Sequence, residues 1–287
     1  PMDPQLGETS GAGASRTDAS GLFYPNPGLK ESPTDLRRAV IERVINHDET
    51  TGRSLLEIKS GHPTDRASLI SCRLPFVFPG LALNFVFSNA FDASVGGAAD
   101  VLFVSLELPT DERNLRKFLG SDAFPLLTTK LAKLLSKGFP EDFFPTLEMS
   151  PFLLKTLPGI GAKRCLRIEE AWSDLKSLIA SRMFFFEHDL PLNWADRLRT
   201  SFGREGLSVF LGNPYRVGTD HSFDFDLLDP FAQKRGIPAA SPDRLRGCLI
   251  DLLRGFYRQG HCAYPESTLL QKSFEKLQVD REDIENA

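Results

Sequence analysis

Leu157-Pro158-Gly159-Ile160-Gly161-Ala162-Lys163-Arg164 lies between an apolar run (Phe152, Leu153, Leu154) and a helical pattern carried by Cys165, Leu166, Ile168, Ala171 and Trp172. The order predicts a short helix, a tight two-glycine hairpin, and a second helix that opens with two cations. Glycine has no Cβ, so it adopts positive φ without penalty and lets another backbone come close. Bare N–H groups at the positive end of a helix then face outward, a local geometry that favours anions and phosphate above all.

This order of elements is the helix-hairpin-helix pattern, which grips a nucleic-acid backbone without reading bases. Its site residues are Gly159, Ile160, Gly161 and Ala162 for backbone N–H contacts, with Lys163, Arg164 and Arg167 adding charge. The plainer reading of the same residues is a helix-helix turn with Gly159 and Gly161 as caps.

The 287 residues suggest two domains or one large one. A hydrophobic fraction of 41% and a charged fraction of 25% supply material for an ordinary core. No apolar run approaches the roughly 18 residues that would span a bilayer. Cys72, Cys165, Cys248 and Cys262 are scattered, three of them in apolar patterns, which fits buried thiols in a reducing, cytoplasmic setting. A net charge of −4 excludes a globally basic nucleic-acid binder, so contact with DNA has to be local. The balance around the hairpin is indeed positive, with nine basic and six acidic residues over 155–204, against three and six over 266–287.

Residues 1–34 are rich in Gly, Ser, Thr, Ala and Pro and are expected to form a disordered leader. From Arg37 the pattern becomes β-rich. Strands are expected at 39–45 and 54–59 around a turn with Thr51-Gly52, then at 68–72, 82–88 and 101–107. Five short strands at this spacing predict a small antiparallel barrel of oligonucleotide-binding type over 35–110. Phe85, Phe87, Phe91 and Phe103 are candidates for base stacking, but alternating aromatics in strands more often fill a core, which is the favoured reading.

From Asp111 the period is helical. Units beginning near Phe124, Leu157, Leu190 and Phe225 recur at intervals of 33, 33 and 35 residues, which predicts a tandem array over 111–240. The helix after the hairpin is expected to end near Trp172, and another to run over 174–188. Only the second unit keeps both glycines. The others carry Pro125-Leu126-Leu127, Pro191-Leu192-Asn193 and Asp224-Phe225-Asp226 at the expected hairpin positions, so they are expected to pack rather than grip phosphate. A C-terminal helical segment follows over 241–287. The fold class is therefore α+β: an N-terminal barrel, then an all-α helix-hairpin-helix array.

Catalytic and metal signatures are missing. The sequence has no G-x-x-x-x-G-K-[ST] loop, no H-E-x-x-H, no G-x-S-x-G and no paired-cysteine site. Adjacent His261 and Cys262 are too few for zinc. Asp224, Asp226 and Asp229 read as a helix cap with exposed carboxylates rather than a magnesium site. His188, between Glu187 and Asp189, has no nucleophile partner. No cofactor and no metal is expected.

Segments 157–172, Asn213-Pro214-Tyr215-Arg216, and the run from Lys234-Arg235-Gly236-Ile237-Pro238 to Gly260-His261-Cys262 resemble, in matching order, the N-terminal region of RecD-like ATP-dependent DNA helicases. So do the turn with Thr51-Gly52 and Phe118-Leu119-Gly120-Ser121. The resemblance spans about 35–285. It implies an oligonucleotide-binding-type barrel with tandem helix-hairpin-helix units, in a 5′-to-3′ helicase serving DNA repair or recombination. The family's ATPase motor lies C-terminal to this region and has no counterpart here. The expectation is thus a non-catalytic, sequence-independent DNA-binding piece, either part of a longer helicase or standing alone. Its partners would be DNA phosphate, with helicase motor domains or other repair proteins beside it, and no membrane. The rival expectation is a helical protein-interaction scaffold with little DNA binding, favoured by the lost glycines and the overall acidity.

Overall fold

The computed structural model describes residues 23–27, 29, 35–60, 68–87 and 98–279. Its strands are β1 (Phe23–Pro25), β2 (Arg37–His47), β3 (Arg53–Ser60), β4 (Ser68–Arg73), β5 (Ala82–Phe87) and β6 (Ala99–Glu107). The sheet order is β1-β6-β4-β3-β2-β5, and β5 pairs again with β6, which closes β2 to β6 into a five-stranded barrel. All its pairings are antiparallel except β4 with β6. This is the barrel of oligonucleotide-binding type that the strand spacing predicted. Phe23–Pro25 fall inside the segment expected to be a disordered leader, yet they pair with β6, where Tyr24 sets its ring edge-on to Phe76. The rest of that expectation, and Phe91, lie outside the described residues.

Period-two alternation builds the interior. Ser54, Leu56 and Ile58 of β3 point inward with Ala99, Val101 and Phe103 of β6. Phe85 and Phe103 are buried, so these two aromatics are core and do not present faces to solvent. The buried amide of Asn84 is satisfied by donating to Ser105 Oγ at 2.8 Å and Glu107 Oε1 at 2.6 Å.

Ten α-helices follow among the described residues: α1 (Glu112–Leu119), α2 (Thr129–Gly138), α3 (Phe143–Met149), α4 (Ala162–Glu187), α5 (Asn193–Phe202), α6 (Gly206–Gly212), α7 (Pro214–Asp220), α8 (Phe225–Lys234), α9 (Pro242–Arg258) and α10 (Glu266–Leu277). A 3-10 turn, Pro151–Thr156, leads into the two-glycine hairpin. The break expected near Trp172 does not occur, and α4 runs unbroken for 26 residues. Trp172, Ser173 and Asp174 contain no glycine or proline, and buried Ile168, Trp172, Leu175 and Ile179 keep helical spacing across them. Among the described residues no helix is long and apolar enough to cross a membrane.

Helix α4 joins two apolar cores. The first runs without interruption from the barrel through α1–α3 to Ile179, so packing is continuous across residue 110. Trp172 sits within it against Phe144, at 4.9 Å between ring centroids, and donates its indole N–H to Glu148 at 2.7 Å. The second core takes in Leu178 through Leu277, with Trp194 stacked on Phe223 at 4.2 Å. It includes Leu245 and Cys248 of α9, so packing is continuous across residue 240 as well.

Barrel and helices meet at the β2–β3 turn. Asp48 accepts the N–H groups of Thr50 and Thr51, and Gly52 has φ +77, where in addition a Cβ would lie 2.5 Å from the Leu74 carbonyl oxygen. Thr50 O accepts the Leu192 N–H at 3.0 Å, Asn193 donates to Thr50 Oγ1, and Arg73 pairs with Asp189 at 2.7 Å. Three buried polar atoms here, His47 Nε2, Arg182 Nε and Asn193 Oδ1, have no hydrogen-bond partner among the described residues.

Burial, reinforced by the positive charge of Arg182, lowers His47 to about 4, against the weaker opposing pull of Asp48 and Asp196. Between its ordinary value of 6.5 and about 4, the unfolded chain takes up a proton that the folded chain refuses, so stability falls as pH falls through that window. Urea unfolding at pH 7 and pH 4.5 should show a loss of about 1–3 kcal/mol, allowing for the ring's partial exposure. His47→Gln should remove most of that difference. An equal loss in both proteins would place the acid sensitivity elsewhere.

Candidate nucleic-acid interface

Three described hairpins share one backbone design. Each has a residue at positive φ, then a buried apolar residue, then the start of a helix. The left-handed residues are Gly159 (φ 82), Asp189 (φ 54) and Ser222 (φ 55). The apolar residues that follow are Ile160, Leu190 and Phe223, each at most 5% exposed. These turns lie two residues before the positions expected at Pro191 and Asp224, with intervals of 30 and 33 residues. Positive φ at non-glycine residues is uncommon, and Asp is among those that tolerate it. That tolerance is the signal that reading for glycines alone misses. The unit expected near Phe124 is different: Gly120, before the α1–α2 connection, has φ −90 and no left-handed turn forms there.

The first hairpin is open. Gly159, Gly161, Ala162, Lys163, Arg164 and Arg167 are all exposed. Ile160 is not: its side chain is buried and its N–H donates to Leu157 O at 3.2 Å. Gly161 is the N-cap of α4 and has no side chain to take up the first-turn N–H groups. Arg164 donates to Gly159 O at 2.7 Å and braces the loop from outside. Gly159 needs its positive φ. Gly161, with φ −86 and ψ 175, does not, and a Cβ there would meet nothing within 4 Å. The fold therefore makes no demand for glycine at 161.

Charge around this hairpin is one-sided. From Lys130 to Arg167 the chain carries seven basic and three acidic side chains. Among the described residues, Lys130, Lys133, Lys137, Lys155, Lys163, Arg164 and Arg167 form no ion pair, whereas Glu148 is engaged by Lys176. Between α2 and α4 lies a cleft of about 440 Å³, bounded by Pro158 of the hairpin and by Lys130, Arg164 and Arg167.

The other two hairpins differ in what surrounds them. The second is occupied by the barrel: Thr50 O takes the Leu192 N–H, and Arg73 takes Asp189. In the third, Asp224 caps α8 by accepting the Asp226 N–H, and Asp226 pairs with Lys276 at 2.7 Å. A phosphate there would meet two carboxylates. Asp229 is not an exposed cap carboxylate. It accepts a bidentate pair from Arg244 at 2.8 and 2.9 Å and the Tyr215 hydroxyl at 2.6 Å. Burial pushes its carboxyl up, but these hydrogen bonds outweigh that and hold it below the ordinary range.

Of the cysteines, Cys72, Cys165 and Cys248 are buried and Cys262 is exposed. Burial pushes the Cys72 and Cys248 thiols up to about 12, so both stay protonated at neutral pH.

Residues 175–263 match the family model described as the ATP-dependent RecD2 DNA helicase HHH domain. The match begins within α4 and covers the second and third hairpins, α9 and the Arg244 network. The open hairpin at 157–164 lies on its N-terminal side. No curated protein and no solved structure matches the chain. A closed barrel of oligonucleotide-binding type, followed by a segment that matches this helix-hairpin-helix domain, fits the barrel-and-hairpin region of RecD2-like helicases.

Proposed function

We propose that the chain binds DNA without sequence preference, holding the phosphate backbone at the hairpin of residues 157–164, as a non-catalytic part of a RecD2-like helicase working in DNA repair or recombination. Gly159, Gly161 and Ala162 border the phosphate, the first-turn N–H groups of α4 point at it, and Lys163, Arg164 and Arg167 neutralise it. Such contacts fix the position of DNA and carry no base code. The single observation that carries this reading is Gly161, an exposed glycine that neither backbone conformation nor internal packing requires. The unpaired cations beside it agree. Of the three described hairpins, it alone is neither docked on the barrel nor lined by carboxylates.

Gly161→Ser tests the assignment. Serine is a better N-cap than glycine, and its hydroxyl would accept the N–H of Lys163 or Arg164. Stability should hold or rise slightly, while DNA affinity at low salt falls several-fold because the N–H groups are taken and the approach is narrowed. Unchanged affinity in a folded variant would remove this hairpin from the DNA contact.

One observation favours the scaffold reading. Met149 (83% exposed), Phe152 (60%) and Leu166 (54%) leave apolar surface bare close to the same hairpin in sequence. On that reading DNA is not retained even at low salt, and a protein covers these residues.

A further inference from the structure

The cleft between α2 and α4 has a composition that a phosphate grip does not need. Its floor is apolar, formed by Leu127, Leu131, Leu134 and Ile168, and its rim carries Lys130, Arg164 and Arg167 with no carboxylate among the lining residues. It shares Pro158 and Arg164 with the hairpin, so the two are one continuous surface. At about 440 Å³ it falls in the range of small-molecule sites.

We infer that this cleft receives an unpaired nucleotide next to the phosphate held at the hairpin, which makes the chain selective for single-stranded over duplex DNA. The inference rests on the phosphate-binding reading of 157–164. A nucleotide has an apolar base face and an anionic backbone, and the cleft has an apolar floor and a cationic rim. Guanidinium groups also lie well against base planes. In a duplex the base faces are stacked inside the helix and cannot reach the floor, whereas a single strand exposes them. The lining offers no carboxylate to accept from base amino groups, and stacking on an apolar floor accepts any base.

Lys130→Glu separates the cleft from the hairpin. Lys130 is exposed in the first turn of α2, where a carboxylate suits the helix dipole, so the variant keeps its fold. The measurement compares wild type and variant for affinity toward a single-stranded oligonucleotide, a duplex of equal length and an acidic peptide with leucines, at one salt concentration. Wild type should bind the single strand about tenfold tighter than the duplex. In Lys130→Glu that preference should vanish, with single-strand affinity falling far more than duplex affinity. Equal wild-type affinity for both DNAs, or an equal loss on both in the variant, would overturn the cleft assignment and leave the hairpin standing. Displacement of the single strand by the peptide at low concentration would assign the cleft to protein. No binding of either DNA would sink the hairpin reading and this one together.

Discussion

Lys163→Glu combined with Arg164→Glu is expected to lower DNA affinity at low salt by at least about tenfold, and by more with a longer site. Each cation that neutralises a phosphate releases counterion on binding, and reversing it both forfeits that release and adds repulsion. Both side chains are exposed and form no ion pair among the described residues, so the substitution removes no internal salt bridge. Arg164 does more than supply charge, because its guanidinium holds Gly159 O at 2.7 Å. Arg164→Gln separates the roles: an amide retains some capacity to brace the carbonyl while losing the charge. Thermal unfolding of the double variant should stay close to wild type, since exposed substitutions away from packed features shift stability by roughly 0.5 kcal/mol or less.

The largest stability effect is expected at Arg244. It is buried in α9, and its guanidinium meets Asp229 through two bonds, Ala239 O at 2.8 Å and Leu277 O at 3.4 Å. Tyr215 completes the site through Asp229, and Gln233 donates to the Tyr215 hydroxyl. One side chain thus ties α7, α8, α9 and the end of α10 together. Arg244→Ala leaves the Asp229 carboxylate half-buried without its cation and should cost about 3–5 kcal/mol in urea unfolding. Asp229→Asn in the same background should recover part of the loss, because the stranded charge is gone. A cost below about 1 kcal/mol for Arg244→Ala would mean that water reaches Asp229 freely and the network does not hold the domain.

Some of this architecture is visible in the residues and some is hidden for physical reasons. The alternation of Leu56 and Ile58 and the Gly52 turn announce the barrel. The ring also needs the β4–β6 pairing between strands not consecutive in sequence, which no local pattern encodes. The two-glycine hairpin is legible because glycine is the ordinary solution at positive φ. Asp189 and Ser222 hold the same conformation without glycine, so their turns escape a search for that residue. Asp224, Asp226 and Asp229 look alike in sequence. Only Asp229 faces Arg244, fifteen residues on, and that partnership makes it a structural carboxylate rather than a solvent one. The docking of Thr50 on Leu192, which covers the second hairpin, likewise joins distant segments.

The central claim is that DNA phosphate is held at 157–164, and the salt dependence of binding tests it most directly. The slope of log affinity against log salt concentration should be smaller in magnitude for Lys163→Glu/Arg164→Glu than for wild type. The difference should be about one unit for each phosphate left without its cation, and so about two. Identical slopes in two folded proteins would show that the phosphates are neutralised elsewhere and would contradict the claim.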